Sequence, residues 1–176
     1  NDSPGPAGRP DPLGSMAVSS RPIIVVEDDP FLRLVQVILD PATPPARLAA
    51  FSEFFAHDLP DFLAWCARLR VRLESLYPAE VRLVADEAEL LTALRGARIA
   101  VVESFAFGAR EIAAAGSTFG IVQKYGAVTS NIDGEACARA GVRVLTLRRR
   151  ANIATAEHAL ALMLALARMI LETAGL

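Results

Sequence analysis

An α/β domain built on an open parallel sheet is what this sequence of 176 residues predicts. Three observations carry the prediction. Short β-branched runs without polar alternation, such as Ile23-Ile24-Val25-Val26, suit strands buried on both faces. After Pro78 such runs alternate with segments of helical period, the pattern of right-handed βαβ units. The stretch from Ile121 to Arg168 joins a strand, a Gly-containing turn, an acidic helix start, a second strand and one long Ala/Leu helix with very little spacer.

Residues 1–20 concentrate Pro, Gly, Ser and Asp with no apolar period, so they read as a flexible arm, with Met16 after Gly14-Ser15 a candidate native start. Ile23–Val26 is then the first strand. It ends in Glu27-Asp28-Asp29, read as a solvated strand end. Two helices follow, from Pro44 to Ala56 and from Pro60 to Leu76. Their apolar residues recur at three and four: Leu48, Phe51, Phe54 and Phe55, then Phe62, Leu63, Leu69, Leu73 and Leu76. Pro near each start suits a first turn, and Trp65 and the phenylalanines suit packing. Val81–Ala85 is a strand, Glu87–Arg95 a helix stopped by Gly96, Ile99–Glu103 a strand, Arg110–Ala115 a short helix and Phe119–Lys124 a strand. Asp133–Ala140 is a helix stopped by Gly141, and Val142–Leu147 the last strand. Five strands alternating with helices define a flavodoxin-like open parallel sheet with helices on both faces, plus a long C-terminal crossing helix.

With 53% hydrophobic residues and no composition break after the arm, one core is expected. Eighteen Lys and Arg against twenty Asp and Glu leave a net charge of −2, which excludes a chain-wide basic field for nucleic acid; Arg148–Arg150 is the local exception. Cys66 and Cys137 are far apart, with no Cys/His cluster at metal-ligand spacing, so no metal is expected and free thiols in the cytoplasm are the plain reading. No basic start precedes an apolar core, so no secretory signal is read. The most apolar run, Ala159 to Ala167, is about half the ~20 residues of a membrane span and suits a buried or interface helix.

Ligands of such a sheet sit at the carboxyl ends of its strands. Three loops face that edge: Glu103 to Gly108, Tyr125 to Thr129, and Thr146 through Asn152. A Gly turn there lets backbone N–H groups converge on an anion, a small carboxylate as well as a phosphate. The acids Glu27-Asp28-Asp29 are similar to the opening of response-regulator receiver domains. That pattern also needs an Asp closing a central strand and a later Lys-Pro. Here the strand ends in Glu103-Ser104, and Tyr125 follows Lys124.

The order KYGAVTSNID, GEACARAGVRVLTL and RRRANIATAEHALALMLALAR resembles the D-isomer-specific 2-hydroxyacid dehydrogenase family over about fifty residues; residues 21–120 resemble it only in their βα pattern. The resemblance implies the N-terminal substrate-binding domain of such an enzyme and the start of its link to an NAD-binding domain. Residues 21–150 would be the flavodoxin-like substrate-binding domain and residues 151–176 a linking and dimerisation helix. Gly126 matches the first Gly of the family's turn, and the amides of Ala127 and Val128 would take the carboxylate of a 2-hydroxy or 2-oxo acid. Tyr125, Ser104 and Phe105 would line the same site, and Asn152 and Thr155 would lie at the interdomain side. The family commonly has a second Gly where this chain has Val128, and a β-branched residue resists positive φ, so the turn is expected to differ.

Asp133, in the matching Asn131-Ile132-Asp133, is expected to cap its helix. Asn152 or Thr155 is expected to cap the long helix, with Glu157 in its first turn. His57 reads as a surface or capping residue, and His158 belongs to the Ala-Glu-His helix start, so neither replaces the family's catalytic groups. No Gly-x-Gly-x-x-Gly occurs, nor the family's later catalytic Arg, Glu and His. NAD or NADP would come with another domain, and these 176 residues alone are expected to be inactive. The alternative is a non-catalytic dimerising or regulatory module on the same fold. A homodimer through the last helix is expected either way, with neither nucleic acid nor membrane as partner.

Overall fold

The computed structural model describes residues 21–147 and 151–167, with the side chains of 151–155, 166 and 167 left aside; the 1–20 arm and Arg148–Arg150 fall outside. In chain order, β1 (Ile23–Glu27) is followed by three helices, α1 (Arg33–Leu39), α2 (Pro45–Phe55) and α3 (Phe62–Arg72). Then come β2 (Glu80–Val84), α4 (Glu87–Ala93), β3 (Ile99–Val102), α5 (Ala109–Ala115), β4 (Ile121–Lys124), α6 (Gly134–Arg139), β5 (Arg143–Thr146) and α7 (Ala151–Ala167).

The five strands are parallel in the order β2-β1-β3-β4-β5, the flavodoxin-like order expected. Side-chain alternation explains why β1 lacks a polar face. Val25 packs into a core with Val84, Leu90, Ala100, Val102, Phe107, Phe119 and Val122 on the α4, α5 and α6 side. Its neighbours Ile24 and Val26 pack on the other face, with Leu32, Leu39, Val81 and Val101. Register places Glu27 beside Val84 and Lys124 beside both Val102 and Thr146, so the strand ends line one edge.

Three helices, not two, connect β1 to β2. The added α1 occupies the sheet face, against β2 and α3. The aromatic helix α2 therefore stands outside it and has no fully buried residue. Phe51 and Phe55 stack on buried Phe62 with centroids 6.4 and 5.2 Å apart, and half-buried Trp65 lies 6.1 Å from Phe62. By contrast Phe54 is 66% exposed and Leu63 is exposed as well, so two residues of the expected apolar stripes do not reach the core. Gly96 and Gly141 end α4 and α6 at φ 73° and 70°, where residues with a Cβ are disfavoured.

The helix α7 begins at Ala151, so neither Asn152 nor Thr155 stands at its N-cap, and Glu157 falls beyond its first turn. Residues 156–164 are all exposed, including Leu160, Leu162, Met163 and Leu164. The expected buried or interface helix is thus uncovered by the described residues. Among the described residues, no helix is long and apolar enough to cross a membrane.

Candidate functional site

The carboxyl edge of the sheet is occupied largely by the protein's own carboxylates. Glu27 is the centre of this arrangement. Only 8% exposed, it turns from the end of β1 under the loop that follows β3. Its carboxylate accepts from the amides of Glu103 at 2.7 Å, Ser104 at 2.9 Å and Phe105 at 3.2 Å, and from the Ser104 hydroxyl at 2.5 Å. Burial alone would push its carboxyl up. The Ser104 hydroxyl and the three amides outweigh that and hold its pKa below the ordinary 4.5. The expectation of a solvated strand end therefore fails for Glu27, because three converging N–H groups replace its water.

The rest of this loop is closed in the same way. Ala106 N–H donates to Glu87 Oε1 at 3.0 Å, Phe107 N–H to the Asn131 carbonyl at 2.9 Å, and Gly108 N–H to Glu111 Oε2 at 2.9 Å. Every amide from Glu103 to Gly108 thus has an acceptor inside the protein. Ser104 and Phe105, expected to line the site, therefore have side-chain surface and no open amide to offer a ligand.

The turn after β4 is different. Gly126 is buried with φ 157°, and its carbonyl accepts from Leu147 N–H at 2.9 Å, tying the turn to the end of β5. Ala127 and Val128 are exposed, Val128 at 70%, and no described residue accepts from either amide. The turn is nevertheless held at both ends. Asn131 Nδ2 donates to the carbonyls of Phe105 at 2.7 Å and Glu103 at 3.3 Å. Asp133 N–H donates to the Phe107 carbonyl at 2.8 Å, and Asp133 Oδ1 accepts from Ala136 N–H at 2.9 Å, the expected helix cap. Buried Lys124, just before the turn, donates its ammonium to the Glu103 carbonyl.

Of the site residues read from the sequence, the structure brings Ser104 and Phe105 beside Tyr125, Gly126, Ala127 and Val128, on two loops joined through Asn131. The Asn152 and Thr155 side chains lie outside the described residues. Half-buried Tyr125 also helps to line a cavity of about 310 Å³ with Phe31, Leu34, Ile38, Phe55 and Leu147. Glu27, Lys124 and Glu87 were missed as site residues. Only the position of Glu27 and Lys124 at strand ends hinted at them.

The other acids of the β1 end also have partners. Asp28 Oδ1 lies 2.6 Å from Arg33 Nε, and that guanidinium holds Asp28 below the usual carboxylate range. Asp29 Oδ1 accepts from the amides of Phe31 at 2.8 Å and Leu32 at 3.2 Å. Among the described residues, no group of three or more His, Cys, Asp and Glu could hold a metal, which takes away the cluster that a receiver-like reading needs.

These residues do not fit a dinucleotide either. A pyrophosphate needs unclaimed amides at a helix N-terminus behind a Gly-rich turn. Here Asp86 accepts from Ala88 and Glu89 at the start of α4 and Asp133 from Ala136 at the start of α6, while Asp29 and Glu111 take the amides just before α1 and α5.

The sequence profile described as "D-isomer specific 2-hydroxyacid dehydrogenase, catalytic domain" matches residues 65–175, more than half of the chain. The chain belongs to the D-isomer specific 2-hydroxyacid dehydrogenase family. The match starts well before Ile121, within α3, and takes in β2, α4 and β3, where the sequence alone showed only a βα pattern. No curated protein matches the sequence. Similar solved structures include the pyruvate reductase of Chlamydomonas reinhardtii (19% identity, TM-score 0.49), covering 86% of this chain and 36% of that one. D-lactate dehydrogenase from Escherichia coli is 15% identical, with TM-score 0.48 and coverage of 84% and 38%. NAD+-bound 3-phosphoglycerate dehydrogenase from Entamoeba histolytica is 20% identical, with TM-score 0.43 and coverage of 72% and 33%. The chain spans about a third of the length of each of these structures.

Proposed function

We propose that this chain is the substrate-binding portion of an NAD(P)-dependent D-2-hydroxyacid dehydrogenase, an enzyme interconverting a 2-hydroxy acid and its 2-oxo acid. The observation that carries this reading is the turn after β4. Its Ala127 and Val128 amides have no acceptor among the described residues, on an edge where neighbouring amides are taken by Glu27, Glu87 and Glu111. A substrate carboxylate placed there accepts two N–H bonds from a backbone fixed by Gly126, Asn131 and Asp133, so its C1 and C2 are oriented before reaction. Ser104, Phe105 and Tyr125 flank it.

The coenzyme is assigned to residues other than those described, as is the acid/base. His57 and His158 are both exposed and lie off the strand-end loops, on the α2–α3 connection and on α7. Proton–nitrogen NMR titration of the 176-residue chain with D-lactate tests the reading: the amide resonances of Ala127 and Val128 should shift together. Turnover of any 2-hydroxy acid with NAD or NADP by this chain alone would show the division of labour to be wrong.

The reading as a dimerising module is favoured by one separate observation, the exposed Leu160, Leu162, Met163 and Leu164 of α7. A helix apolar around its circumference is normally covered. We assign that cover to a second copy of the chain. Light scattering that reports a monomer at high concentration would remove this assignment.

A further inference from the structure

We infer that Glu27 makes the site selective for acids whose only anionic group is the C1 carboxylate, an inference that rests on the placement of that carboxylate at Ala127 and Val128. Two of the three loops at this edge lie wholly within the described residues, those after β3 and β4, on neighbouring strands about 5 Å apart. The first is already filled. Glu27 takes the amides of Glu103, Ser104 and Phe105 and the Ser104 hydroxyl. The remaining amides of that loop go to Glu87, Glu111 and the Asn131 carbonyl.

The loop therefore turns a carboxylate-filled nest and no free backbone donor toward its neighbour. Lys124, just before the turn, is buried and donates to the Glu103 carbonyl, and the adjoining 310 Å³ cavity is lined mainly by apolar side chains. A second anionic group on C3 of a substrate seated at Ala127 and Val128 meets this wall. It faces a like charge about one strand away, and the loop after β3 offers it no free amide in place of the water it gives up. Repulsion at such a distance, reduced by partial exposure to solvent, corresponds to a penalty of about tenfold in affinity. Glu27 is thus a specificity-determining residue that acts through the loop it holds, without touching the substrate.

D-lactate and D-malate test this, because they match at C1 and C2 and differ by one carboxylate on C3. Each is titrated at neutral pH into the 176-residue chain while the Ala127 and Val128 amides are followed by NMR. Lactate should bind at least about fivefold more tightly than malate, and Glu27→Gln, which keeps an acceptor but removes the charge, should bring the ratio below about twofold. Glu27→Asp keeps the charge and should keep the preference. Malate binding the wild type within about fivefold of lactate overturns the inference whether or not the variants fold, and so does an unchanged ratio in a folded Glu27→Gln protein. Lactate that leaves Ala127 and Val128 unmoved instead overturns the placement of the carboxylate, and this inference falls with it.

Discussion

Removing the Glu27 carboxylate should destabilise the protein in a way that depends on pH. In Glu27→Ala three amides and one hydroxyl lose their acceptor at once. A hydrogen bond to a charged group contributes about 1.5–3 kcal/mol, but these four share one carboxylate, and exposed Ser104 can recover water. The expected net loss is about 2–4 kcal/mol at neutral pH, with Glu27→Gln losing roughly half as much. Because folding depresses the Glu27 pKa, its contribution is full above the ordinary value of 4.5 and fades as pH falls through the lower folded value. Urea unfolding of wild type and Glu27→Gln, compared at about pH 7 and about pH 3, should show the difference shrinking in acid. A difference that is the same at both pH values would mean that packing, and not the charge in the nest, holds the loop.

Ala127→Pro removes one of the two amides assigned to the substrate carboxylate. It should abolish the D-lactate response of Val128 while shifting the urea midpoint little, since no described residue uses that N–H. Asp133→Ala deletes the cap on Ala136 N–H and should cost about 1 kcal/mol in urea unfolding, with Asp133→Asn restoring most of it. Cys66 and Cys137 are buried, and burial pushes both thiols above their ordinary pKa. A thiol reagent at mildly alkaline pH should therefore label neither until the chain unfolds.

Hydrophobic period and punctuation revealed the fold because they act locally. Gly96 and Gly141 stop helices by their own positive φ, and Asp133 caps a helix three residues away. The helix α1 escaped notice because Arg33-Leu34-Val35-Gln36-Val37-Ile38-Leu39 is short, rich in β-branched residues and without a side-chain cap, so its period is as compatible with a strand. With α1 on the sheet face, α2 stands outside it, which is why Phe54 of the expected apolar stripe is exposed. The site was legible only in part. A Gly turn at a strand end can be read from residues 124–129, whereas the availability of an amide depends on what lies opposite it. The acceptor for Glu103 N–H is 76 residues away in sequence, and no local pattern announces it.

In the proposed reading, the carboxylates at the strand ends leave one turn to take the substrate. Helix starts attract anions wherever their amides are open, so an edge with four helix starts would bind many small anions. Here Asp86 and Asp133 cap two of those starts, Asp29 and Glu111 take amides just before the other two, Glu27 closes the loop beside them, and among the described residues no acceptor meets the amides of Ala127 and Val128. The closed positions brace the open one, because Asn131 and Asp133 bond directly to the loop that Glu27 holds. Loosening Glu27 should therefore disturb the Ala127 and Val128 amides although it touches neither. In the proposed reaction this brace fixes one end of the acid, and hydride and proton act at the other from groups the described residues do not supply.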